Sequence, residues 1–200
     1  MPQHSSALFL AQLRAGEEFA RLRLAHGGDP EGDALRALLR TEVVQELAAH
    51  ILPTDRPLVR WLLEQEVACL RAIGHGVTET LYTLVAALAR FGQPEDALLL
   101  WRAREATPET RSGVDVEQLL RAGPERVRIY LRGRADGKEL IVREARAALD
   151  WIEAGIAAGA ADELPGYFHW ADERFGLRVS GPTCRFNGSA SCEAALTSGQ

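Results

Sequence analysis

An all-α fold of about eight helices arranged in antiparallel hairpins follows from three features of the sequence. Apolar residues recur at three- and four-residue steps through most of the chain, as in Leu81, Leu84, Val85 and Leu88. No alternating apolar and polar run is long enough to build a sheet. Glycine and proline cluster between the periodic stretches, at Gly27-Gly28, Gly74 to Gly76 and Gly92 to Pro94, where they stop one helix and allow the next.

Taken in order, Ser5 or Ser6 caps a first amphipathic helix carrying Leu8, Phe9, Leu13, Phe19 and Leu24 as far as Ala25. Asp29-Pro30 opens a second, with Leu35, Leu38, Leu39, Val43, Leu47 and Ile51 on one stripe until Pro53 ends it. A turn at Pro53-Thr54-Asp55 leads into a third helix, from Arg56 to Gly74, built on Leu58, Trp61, Leu62, Leu63, Val67 and Leu70. Thr78 caps a fourth that Gly92 terminates, and Pro94 starts a fifth with Ala97, Leu98 and Trp101 inside. The text after Thr107 is more polar. It gives a short helix from Asp115 to Arg121 and another from Gly123-Pro124 through Leu131, followed by a loop from Gly133 to Gly137. A long amphipathic helix runs from Lys138 to Gly159 on Ile141, Val142, Ala145, Leu149, Ile152 and Ile156, and the aromatic-rich segment from Leu164 to Gly176 closes the domain. Residues 1–176 therefore read as one all-α domain. Residues 177–200 read as an extended tail, its serine- and glycine-rich end frayed.

The composition narrows the function classes. A chain of 200 residues can bury a sizeable core without disulfides, and three cysteines, an odd number behind an N-terminus without a signal-peptide pattern, point to reduced thiols and a cytoplasmic protein. No apolar run approaches a membrane span. The net charge of -5 argues against nucleic acid as a partner. Lys138 is the only lysine among 23 basic residues, a bias expected of a GC-rich bacterial genome. The charge is unevenly spread: residues 102–146 hold ten arginines and Lys138 against eight acidic residues, a surplus of three positive charges. Such asymmetry suits an acidic partner or a second copy of the chain, although a mixed solvated surface accounts for it as well.

The hairpin from Thr78 to Thr107 resembles one unit of the tetratricopeptide repeat family. Leu81, Leu84, Leu88, Gly92, Ala97 and Trp101 fall where that family places its large, large, large or aromatic, turn-glycine, small and aromatic residues, and Gly159, Leu164 and Phe168 echo the last three steps. Val85 and Arg104 stand where the family places small residues. The resemblance covers about 30 residues. It leaves open whether the helices form a degenerate repeat or an irregular bundle, since an ordinary antiparallel hairpin needs the same turn and core. In that family the first helix of each hairpin lines a peptide-binding groove, which implies Glu79, Tyr82, Ala86, Ala89 and Arg90 as the groove face. Of these, Glu79, Tyr82 and Arg90 are the candidate binding residues, because a phenol and a guanidinium suit a partner's backbone or carboxylate. The expected function is that of a non-enzymatic scaffold for a peptide or protein, with no cofactor.

A metal-dependent enzyme is the alternative. Glu42, Glu46 and His50 follow one another at four-residue steps and so share a helix face, with His169, Asp172 and Glu173 as the best second half of a site. The pattern is unspecific, because carboxylate-bridged bundles use Glu-x-x-His from two helices. No nucleophile beside a histidine and no glycine-rich phosphate loop occurs.

Overall fold

The computed structural model describes residues 4–15, 30–74, 76–136 and 140–178. Among them lie ten α-helices and no β-strand beyond a single bridge residue, Ile51. The helices are α1 (His4–Arg14), α2 (Pro30–Ala49), α3 (Arg56–Ile73), α4 (Glu79–Arg90), α5 (Ala97–Arg104), α6 (Pro108–Gly113), α7 (Val116–Leu120), α8 (Pro124–Ala135), α9 (Leu140–Ala157) and α10 (Leu164–Arg174). Single 3-10 turns at Pro53–Asp55 and Pro94–Asp96 precede α3 and α5. The remainder of the helix expected through Ala25, the start of the long helix at Lys138, and the tail beyond Arg178 with Cys184 and Cys192 lie outside the described residues.

Helix α4 is the centre. Nine of its twelve residues are buried, and α2, α3, α5 and α7 pack around it. A helix so nearly surrounded must be apolar almost all round, which the run Leu81, Leu84, Val85, Ala86, Ala87, Leu88 and Ala89 provides. Each fully buried leucine contributes roughly 1.5–3 kcal/mol relative to an exposed one. Its ends are closed as the sequence indicates: Thr78 Oγ1 accepts a hydrogen bond from Leu81 N at 3.0 Å, and Gly92 takes a left-handed conformation with φ of 60°.

Buried carboxylates join the helices around α4. Glu66 on α3 accepts from Arg40 Nε of α2 at 3.3 Å and from the Thr78 hydroxyl at 2.7 Å, so one side chain links α2, α3 and the cap of α4. Asp55 and Asp96 end the two 3-10 turns, and their side chains are each only 1% exposed. Arg14 of α1 reaches Asp55 through two nitrogens at 2.9 and 2.7 Å, while Leu52 N donates to the same carboxylate at 2.8 Å. Arg56 reaches Asp96 through two nitrogens at 2.9 and 3.0 Å, and Arg60 donates to it as well. The two turns are built alike. Both read Pro-x-Asp, and both receive an arginine from a helix earlier in the chain.

The second half packs on this frame through α5. Trp101 stacks obliquely on Trp151 of α9 with ring centroids 5.6 Å apart, and the Arg104 guanidinium lies 4.2 Å from the Trp151 centroid and 5.2 Å from that of Trp101. Helix α6 departs from the sequence reading, which places no helix between Thr107 and Asp115. Thr107 and Thr110 form a reciprocal cap: Thr110 N donates to Thr107 Oγ1 at 3.3 Å and Thr107 N to Thr110 Oγ1 at 3.0 Å, with Pro108 in the first turn. The expected tail also begins inside the fold. Leu177 is buried, Arg178 N donates to Ala48 O at 2.9 Å, and Ile51 N donates to Arg178 O at 3.3 Å.

Two substitutions test this frame. Trp101→Ala should lower the unfolding free energy by about 3–5 kcal/mol, since it opens a cavity against Trp151; an unchanged urea midpoint would contradict the packing. Asp96→Ala should cost about 2–3 kcal/mol by removing charge-assisted bonds to two arginines. Glu95→Ala, on its exposed neighbour, should stay within about 0.5 kcal/mol, and equal losses for the two would contradict the assigned role of Asp96.

Candidate functional site

On a helix, Glu79, Tyr82 and Arg90 fall within roughly 80° of one another around the axis. They form the polar edge of α4, since Ala86 and Ala89, expected beside them, are 1% and 5% exposed and belong to the core. The helix is therefore packed where the groove reading leaves it open, and only the flank carrying the three longer side chains remains.

At Tyr82 and Arg90 that flank is faced by α10, the last helix among the described residues, and the turn after it. Arg90 Nη1 lies 2.8 Å from Asp172 Oδ2 of α10 and donates to the main-chain carbonyl of Leu177 at 3.3 Å. Asp172 also accepts two bonds of 2.8 Å from Arg121, at the end of α7, so one carboxylate sits in a fork of two guanidiniums. Burial lowers the pKa of Arg90, Asp172 opposes that shift, and the nearby Arg121 charge adds to it. Tyr82 lies beside Phe175, with centroids 6.5 Å apart. Glu79 meets Arg174 at 3.1 Å in an exposed pair that contributes little.

Local chain geometry makes this cover fit. A Cβ at position 113 would fall 1.8 Å from the Tyr82 hydroxyl oxygen, so Gly113 is what lets the end of α6 close over that ring. Helix α10 ends at Gly176 with φ of 64°, where Gly176 N donates to Glu173 O at 3.2 Å and Leu177 N to Asp172 O at 2.9 Å. This reversal turns the Leu177 carbonyl toward Arg90. At the other end of α10, Tyr167 donates to Asp115 Oδ2 at 2.9 Å, and Arg121 lies 4.7 Å over the Phe168 ring.

The metal alternative finds no such convergence. Glu42 and His50 are exposed and Glu46 is half-buried, and among the described residues no group of three His, Cys, Asp or Glu side chains is placed to hold a metal ion. Asp172, counted toward the second half of that site, is engaged by Arg90 and Arg121, while exposed His169 faces Glu173 at 3.4 Å.

Arg121, Asp172 and Phe175 complete the site; the sequence reading sets Asp172 in a metal site instead, and their pairing with α4 escapes it because it spans many intervening residues and leaves no local periodicity. Comparison with protein-family models, with curated proteins and with solved structures finds no match to this chain.

The anchor at Tyr167 has a pH signature. Burial, then the charge of Asp115 and the hydrogen bond to it, push the phenol well above its ordinary pKa, and burial likewise raises Tyr82. The folded protein keeps these protons at pH values where the unfolded chain, with phenols near 10, releases them. The unfolded state then binds fewer protons, so this contribution is fully present below about pH 10 and is lost as the pH rises further, at up to about 1.4 kcal/mol per pH unit for Tyr167. Tyr167→Phe should flatten the alkaline limb of a urea-derived stability profile, and an unaltered limb would contradict the assignment.

Proposed function

We propose that this chain is a non-enzymatic helical scaffold that binds a peptide or protein through the flank of α4 bearing Glu79, Tyr82 and Arg90. One observation carries the reading. All three side chains engage a polypeptide segment by the chemistry that a peptide ligand offers: a carboxylate and a main-chain carbonyl on Arg90, an aromatic ring on Tyr82 and a guanidinium on Glu79. The tetratricopeptide-like spacing around Gly92 and Trp101 supports the same use of the first helix of a hairpin. In this reading neither nucleic acid nor a membrane is the partner, and a second copy of the chain is one candidate protein. Among the described residues no helix is long and apolar enough to cross a membrane. The cysteine usage suits the cytoplasm, and the near absence of lysine suits a GC-rich bacterial genome.

Affinity capture from the native lysate, comparing wild type with a Tyr82→Ala/Arg90→Ala double variant of matched helicity, tests the site. At least one protein recovered with wild type should be lost from the variant, and identical or empty lists would overturn the proposal.

A further inference from the structure

The polar grip on α10 contrasts with how little of that helix is buried. Only Leu164 and Ala171 of its eleven residues are buried, against nine of twelve in α4. Its main helical neighbour is the five-residue α7. Trp170 on its outer side is 51% exposed. What fixes the helix is side-chain chemistry: Tyr167 on Asp115, Asp172 in the fork of Arg90 and Arg121, and Phe175 beside Tyr82, with buried Leu177 and the two main-chain bonds of Arg178 to Ala48 and Ile51 holding only the segment that follows it. An element with few buried apolar side chains and an exposed outer face opens at a free energy below that of global unfolding.

Resting on the scaffold reading above, we infer that α10 with residues 175–178 is a detachable cis ligand. It stands in for an external helical peptide that presents a carboxylate followed three residues later by an aromatic ring, the pattern of Asp172 and Phe175. The fork of Arg90 and Arg121 reads the carboxylate, Tyr82 reads the ring, and Arg90 Nη1 also donates to a main-chain carbonyl just past the helix end. Tethering through residues 158–163 gives the cis segment a high effective concentration. The apparent affinity for a peptide in trans is then reduced by the fraction of molecules in which α10 is open.

The full chain, as wild type and as Asp172→Lys, provides the test, with Asp172→Asn as the milder change should the lysine variant not fold. Two measurements are made: hydrogen exchange by segment, and fluorescence anisotropy with a labelled peptide of residues 164–178. Amides of α10 should exchange faster than those of α4 in wild type and on the order of tenfold faster again in the variant, with α2 to α4 unchanged. The peptide should bind the variant at least roughly tenfold more tightly than wild type, and a peptide carrying the same Asp172→Lys change should bind neither. Exchange of α10 as slow as that of α4 in every protein would overturn the inference, as would a peptide that fails to bind a variant whose α10 has opened. These readouts use no outside partner. Empty capture from a lysate by both wild type and the opened Asp172→Lys variant therefore sinks the scaffold reading alone, whereas a captured partner indifferent to Asp172 sinks the cis ligand alone.

Discussion

Three carboxylates that have left water, Asp55, Glu66 and Asp96, set the arrangement of the first five helices. An anion buried without partners costs several kcal/mol, so each position is tenable only when a cation from elsewhere in the chain arrives with matching geometry. Arg14 from α1, Arg40 from α2 and the pair Arg56 and Arg60 from α3 are those cations. Arg40 reaches the next helix, while Arg14 passes over α2 to the turn before α3 and Arg56 and Arg60 pass over α4 to the turn before α5, so the pairs fix how these helices are staggered while the leucines of α4 supply much of the burial. Apolar contact alone tolerates sliding along a helix axis. A two-pronged guanidinium on a buried carboxylate does not.

Much of this frame is legible in the sequence, and the legible part is the local part. Thr78, Gly92 and Pro94 act at the α4–α5 hairpin as their chemistry dictates, and Val43, Leu47, Leu62 and Leu84 of the expected stripes are buried, whereas Leu38 and Ile141, placed on such stripes, are exposed. Helix α6 was obscured because Thr110 replaces the usual glutamate of a reciprocal cap, leaving a run that reads as polar connection. The arginine partners of Asp55 and Asp96 lie about forty residues upstream, beyond any helical period, although the repeated Pro-x-Asp ahead of a helix marks both acceptors. At the site the limit is the same. Glu79, Tyr82 and Arg90 are identifiable as the polar edge of α4, whereas the identity of what lies against them depends on a segment more than eighty residues later.

The near absence of lysine acquires a structural sense here. Whatever the origin of the bias, Arg14, Arg56, Arg102 and Arg121 each place two nitrogens on one carboxylate, a planar match that an ammonium cannot make. Part of the basic surplus of residues 102–146 is matched by carboxylates from beyond that segment, Asp172 on Arg121 and, nearer the surface, Glu153 on Arg128 and Arg132. The lopsided charge of the sequence thus becomes an internal bond between the middle of the chain and its end.

That end arrives late. Synthesis at roughly 5–20 residues per second separates the emergence of Arg90 from that of Asp172 by several seconds or more. Helices settle within microseconds and small domains often within a second. The α2 to α5 frame therefore has time to assemble on the ribosome while the flank of α4 is still bare, with Tyr82 and Arg90 facing solvent before their own cover exists. Under the scaffold proposal, every newly made molecule passes through an interval in which a partner would meet that surface without competition, so that concentration during translation, as well as affinity afterwards, would decide what becomes bound there.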